Sequence, residues 1–195
     1  GCNLDVYNLE FPGWGPQQSF VDILKEFRSE FADQGQADLQ VTSFVIASPR
    51  VRQQIDQESL FGKNWMSDDW WAETQLDGVL DIQNHGWDHK HPTQDTQGND
   101  TRKHFRFDTV DTFEECELQV REAAEYIAGR AQRSMPQFFA YPYGKSSAYM
   151  RETYFPEQAN SQGIEAAFST VPEHVTLKSE RWAIPRYVCG RDWNT

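Results

Sequence analysis

Val41 to Ala47 (VTSFVIA) runs for seven residues without a charge and is dominated by β-branched and apolar side chains. Such a run is expected of a strand covered on both faces, which is how strands sit in a parallel sheet flanked by helices. Around it, strand-type runs alternate with helical stripes. Leu4 to Phe11 (LDVYNLEF) sets Leu4 and Val6 opposite Asp5 and Tyr7 and reads as a first strand. From Pro16 to Asp33, Phe20, Leu24, Phe27 and Phe31 fall at steps of four, three and four, the apolar stripe of a helix, and Gly35 follows as a stop. Residues 49–78 are mixed and aromatic, with a helix expected over Asp69–Leu76 and a short strand over Val79–Gln83. Thr112-Phe113-Glu114-Glu115 is a capping box, and the helix it opens carries Phe113, Val120, Ala124 and Ile127 on one side. Gln137–Tyr141, Ile164–Thr170 and Trp182–Cys189 read as three more strands, the first two separated by a helix near Ala148–Gln162. With no repeat and no linker, all 195 residues are expected to form one domain. The α/β order fits a barrel or a doubly wound sheet.

Charge narrows the function. Eighteen Lys and Arg against thirty Asp and Glu leave a formal charge of −12. That balance argues against a protein that tracks phosphates, because counterion release needs clustered cations. No apolar run approaches the roughly 20 residues of a membrane-spanning helix. Cys2, Cys116 and Cys189 match no zinc ribbon or CxxC pair; Cys2 and Cys189 fall in expected strands and could meet, but buried free thiols are the expectation. No signal peptide opens at Gly1, which leaves location open because a mature domain would have lost one. Asn99-Asp100-Thr101 is a glycosylation sequon inside the polar loop His91–His104.

In βα folds the chemistry lies beyond the C-terminal ends of the strands. Asn84-His85-Gly86-Trp87-Asp88-His89 stands at such an end. His85 and His89 are four apart, so one helical turn would aim both imidazoles at one point. Two imidazoles and a carboxylate make the facial site that suits Zn2+ and its first-row relatives, with positions left for water and substrate. Asp88 and His91 are candidates for the groups around it. The alternative is two loop histidines that happen to fall four apart.

His85-Gly86-Trp87-Asp88-His89 resembles the His-(Ser/Thr)-x-x-His motif of the polysaccharide deacetylases, enzymes that act on chitin, peptidoglycan and poly-N-acetylglucosamine. LDGVLDIQNH, DLQVTSFVIAS, Phe138-Phe139-Ala140-Tyr141-Pro142-Tyr143-Gly144, Gly163–Ala167 and Ile184-Pro185-Arg186 are similar to further segments of that family, in the same order. The resemblance implies a distorted (β/α)7 barrel of TIM type. It implies that His85 and His89 bind a divalent metal, Zn2+ foremost with Co2+ or Ni2+ as alternatives, and that Tyr143 and Pro142 line the groove. It also implies an amino-sugar polysaccharide as substrate and a periplasmic or secreted location.

Two departures from the family pattern stand out. Glu10-Phe11 falls where the family has an Asp-Asp pair of base and metal ligand. Glu10 is therefore the candidate for base or third ligand, and Asp5 is the fallback. Ala140 replaces the Arg that orients the base, a role for which Arg186 is the substitute candidate. His174 is the remaining His at a groove position and the candidate acid. Trp14, Trp65, Trp70, Trp71 and Trp87 offer flat faces for sugar rings, with Trp14 and Trp87 taken as substrate-facing. These features lead to a metal-dependent de-N-acetylase. The alternatives are a weakened barrel that binds carbohydrate or a protein partner, and an amidase of the same fold.

Overall fold

The protein is described by a computed structural model covering residues 1–31, 34–36, 38–76, 78–89 and 107–193. His91 and the Asn99-Asp100-Thr101 sequon lie outside the described residues, as does the whole polar loop His91–His104 that carries them. Four parallel strands form the central sheet: β3 (Val41–Val45), β4 (Leu80–Asn84), β5 (Phe138–Ala140) and β6 (Ala166–Phe168), in that spatial order. β3 and β4 pair from Val41↔Leu80 to Val45↔Asn84, and β4 meets β5 at Asn84↔Phe139. Neighbouring strands lie about 4.8 Å apart, so in a flat sheet β3 and β6 would be separated by roughly 14 Å. Instead the rings of Phe44 on β3 and Phe168 on β6 are 5.9 Å apart. The sheet is strongly curled, as a barrel wall must be. Phe138 joins the same interior face, 5.8 Å from Phe168.

Helices cover the outer face. α2 (Pro49–Ser59) starts where Ser48 accepts the Val51 N–H and Pro49 occupies the first turn. α3 (Phe113–Glu117) starts at Thr112, whose hydroxyl accepts the Glu115 N–H at 3.2 Å. It runs through a π-helical turn (Leu118–Glu122) into α4 (Ala123–Ala131). A second π turn (Met150–Tyr154) leads into α5 (Phe155–Gln162). Val45, Ile82, Ile127, Trp70 and Trp71 make one buried cluster; Phe107, Val120, Phe139, Tyr141 and Phe155 belong to a second. No described helix is long and apolar enough to cross a membrane.

Several expectations are corrected. Leu4–Phe11 is not one strand. Asp5 turns back to accept the Ser43 hydroxyl at 2.6 Å, which closes a 3-10 turn over Asn3–Asp5. Only Leu9–Phe11 (β1) is extended, and it pairs antiparallel with β2 (Gly15–Gln17) in a separate hairpin. The stripe on α1 (Phe20–Phe31) does not face the core: Val21 is buried, whereas Phe20, Phe27 and Phe31 are exposed. Asp69–Leu76 holds only a 3-10 turn, Glu73–Leu76, and the helix of this stretch is instead α2 (Pro49–Ser59), which Ser48 caps. Trp182–Cys189 gives no strand. Ile184 bridges Phe168 in parallel, and beyond it the chain drifts out of register, with Arg186 N donating to Val171 O at 3.1 Å. Among the described residues the central sheet therefore has four strands and a bridge, where the family resemblance implies seven. All three cysteines are free thiols; Cys116 is buried, Cys2 half-buried and Cys189 exposed.

Asp68 ties α2 to α4. It accepts Arg52 and the Tyr126 hydroxyl at 2.7 Å and Arg130 at 2.8 Å. Burial alone would raise the Asp68 pKa, but Arg130, Tyr126 and Arg52 together hold it well below the usual carboxylate range. Arg52 is buried and lies over the Trp71 ring. Asp68→Ala would leave that guanidinium without its carboxylate, a loss that costs about 3 kcal/mol when a buried pair is broken. Urea unfolding of this variant should show that drop, and a change below about 1 kcal/mol would refute the assignment.

Candidate active site

His85 is the first residue past β4, and its amide still follows the sheet, donating to Val45 O at 2.9 Å. The pairing continues beyond it, with Ala47 N donating to Gly86 O at 3.0 Å and Ser48 N to Trp87 O at 2.8 Å. The expected helical turn is absent. Gly86 (φ +88°) and His89 (φ +61°) both take left-handed conformations, so a tight loop, rather than a helix, brings the two rings together. For His89 that conformation costs on the order of 1 kcal/mol, a strain typical of sites whose surroundings hold them.

The Nε2 atoms of His85 and His89 are 3.1 Å apart. Two nitrogens that each sit about 2.1 Å from one zinc ion have nearly this separation. His85 Nδ1 lies 2.6 Å from Ala140 O, a carbonyl that can only accept, so Nδ1 carries the hydrogen and Nε2 presents its lone pair. This is the arrangement that orients metal-binding histidines. The pair thus fits a divalent ion. Among the described residues no cluster of three His, Cys, Asp or Glu side chains completes the set.

Burial pushes the His85 pKa well below its ordinary value. Neighbouring His89 adds to the shift, the Ala140 carbonyl opposes it, and the N-terminal ammonium and Arg186 contribute further in the lowering direction. Tyr143 stands over His89 with ring centroids 4.6 Å apart, and burial raises its phenol to about 12. Tyr143 is held at φ +56° by its neighbours. Pro142 is buried beneath it, and Gly144 (φ +68°) presses so closely on Thr170 that an added Cβ would lie 2.0 Å from the hydroxyl. Arg186 donates through Nε to Ser169 O at 2.8 Å and lies 5.6 Å above the Phe44 ring, inside the curl of the sheet. Beside Gly144 a cleft of about 610 Å³ opens, bordered by Lys145, Ser169, Glu173, Lys178 and Glu180.

His85, His89, Tyr143, Pro142 and Arg186 are therefore gathered around one end of the sheet. Trp87, half-buried, packs against Tyr126. Glu10 is not brought to them; it is exposed on the β1–β2 hairpin. Asp5 serves the Ser43 contact instead. His174 sits on the exposed segment after β6, with its ring against Tyr187. Trp14 is 82% exposed at the hairpin tip, while Trp70 and Trp71 are core residues. Asn84, at the head of the same segment, has a role that residue spacing does not reveal: its side chain accepts from Gly86 N at 2.8 Å and so starts the loop.

The family profile of the polysaccharide deacetylases matches residues 35–166, more than half of the chain. The chain belongs to this family. Its fold resembles the crystal structure of a polysaccharide deacetylase from Bacillus cereus, with a TM-score of 0.52 and 13% identity over 87% of this chain and 43% of that one. A de-N-acetylase from Aggregatibacter actinomycetemcomitans gives 0.50 and 10% identity, covering 87% of this chain and 65% of that one. This deacetylase-family chain thus spans less than two thirds of either solved relative, and it shares their distorted barrel fold. No curated protein sequence matches it.

The depressed His85 pKa has a consequence for stability. Because the folded value lies below that of the unfolded chain, near 6.5, the unfolded state binds more protons under mildly acidic conditions. The contribution of neutral His85 is present above about pH 6.5 and is lost as pH falls towards the folded pKa. Urea midpoints should fall between pH 7.5 and 5.5, and fall less in His85→Gln. Equal slopes in the two proteins would show that His85 is not held neutral by the fold.

Proposed function

We propose that this chain is the catalytic domain of a divalent-metal-dependent hydrolase that removes N-acetyl groups from an amino-sugar polysaccharide, working in the periplasm or outside the cell. The observation that carries the reading is the convergence of His85 Nε2 and His89 Nε2 at 3.1 Å, with His85 Nδ1 fixed on a carbonyl. His85 and His89 would hold the ion, Zn2+ foremost. When bound, such an ion acidifies a water molecule and polarises the amide carbonyl.

The remaining work falls to the protein. Ala140 O fixes the His85 tautomer. The Tyr143-Gly144 turn, closed by Gly144 N donating to Tyr141 O at 2.8 Å, sets the Tyr143 ring against His89. The Tyr143 phenol keeps its proton at neutral pH and stays a donor. Arg186, poor in carboxylate partners among the described residues, supplies a cation to negative charge near the rings. The cleft beside Gly144, with three cationic and three anionic side chains including Arg151 and Asp108, offers hydrogen-bonding walls to further sugars.

A second reading has its own support. Glu10 lies on the hairpin, and the described residues give the pair no carboxylate. A barrel weakened in catalysis would still bind carbohydrate or a protein partner. One experiment separates the two. The chain should retain about one zinc per molecule after dialysis and release acetate from chitin or poly-N-acetylglucosamine oligomers, and His85→Ala and His89→Ala should remove both properties. Saccharide binding that survives both substitutions, with no zinc and no acetate, would establish the second reading.

A further inference from the structure

The loop that carries both imidazoles is short, left-handed at Gly86 and His89, and bound on one side by one helix. Gln119 supplies that link. It is 1% exposed, and its Oε1 accepts from Trp87 N at 2.9 Å and Asp88 N at 3.4 Å. Its Nε2 donates to Asp88 Oδ1 at 2.8 Å. Next to it, Val120 O accepts from Asn84 Nδ2 at 2.8 Å. Both contacts come from the π turn Leu118–Glu122 between α3 and α4. Successive residues of an α-helix point about 100° apart, whereas a π turn widens the coil and re-aims them, which is why such turns recur at functional sites. Here consecutive residues serve the same loop, one through its side chain and one through its carbonyl. The fit is close: a Cβ on Gly86 would lie 3.0 Å from Gln119 Oε1 and 3.5 Å from the Phe107 ring.

We propose that Gln119, presented by the π turn, is a positioning residue for the histidine pair, so that the convergence of the two imidazoles is set by the α3–α4 rod. The part of this inference that concerns metal affinity rests on the metal reading of the pair; the part that concerns ring geometry does not. Gln119→Met keeps the volume and removes all three hydrogen bonds. Zinc affinity, measured by calorimetry on the full chain, should fall 10- to 100-fold, as it does when groups orienting metal ligands are lost. In the metal-free protein the nuclear Overhauser contact between the His85 and His89 rings should weaken, and the Trp87 amide should exchange faster with solvent. Gly86→Ala, which crowds the same oxygen from the loop side, should weaken zinc binding as well, and the double variant should lose less than the two singles combined.

Ser147→Ala is the control. It removes buried hydrogen bonds to Val110 O and from Met150 N, away from the loop, and should lower Tm without changing zinc affinity. Zinc affinity within twofold of the parent and an intact ring contact in Gln119→Met would overturn the proposal. So would an equal affinity loss in Ser147→Ala at matched Tm. If the parent binds no zinc yet Gln119→Met still loses the ring contact, the metal reading fails and the positioning role stands.

Discussion

The pairing of β4 with β3 does not stop where the strands do, and the site depends on that continuation. Three further backbone hydrogen bonds, from His85, Ala47 and Ser48, carry the ladder into the loop. Because a one-residue slip in register turns every side chain to the opposite face, the alignment of Val45 with Asn84 decides that His85 faces the interior. β5 then places Ala140 O against the ring. Val45, Ala47, Ser48 and Ala140 touch nothing but backbone or ring at this point, yet their contacts are what hold the two imidazoles in place.

The site is also an electrostatic arrangement. The end of β4 brings His85 beside His89 in a buried setting, and burial, more than the neighbouring charges of His89 and Arg186, keeps the ring neutral and its lone pair available. In a chain with a formal charge of −12, Arg186 is thus one cation held close to the pair.

What the sequence disclosed follows from how local each signal is. The uncharged run at Val41–Ala47 and the capping box at Thr112 were readable because strand burial and helix starts are written in neighbouring residues. The structure does bring His85 and His89 together, but a loop with two left-handed residues does so in place of the expected helical turn. Phe20, Phe27 and Phe31 had helical periodicity, but periodicity cannot say which face the tertiary structure covers. Glu10 stands where the family resemblance puts the acidic pair, but the Asp5–Ser43 contact, made between residues 38 apart in sequence, sends this part of the chain along another path. Gln119 was invisible for the same reason: its partners lie 31 and 32 residues away.

Phe44, Phe138 and Phe168 meet at steep angles inside the curl of the sheet, although Phe44 and Phe168 belong to strands that are not neighbours. Each ring is half-buried. Together they brace β3 against β6 like a wedge in a bent board. Shrinking any one of the three should let the sheet flatten, and with it the distances between the strand ends would change.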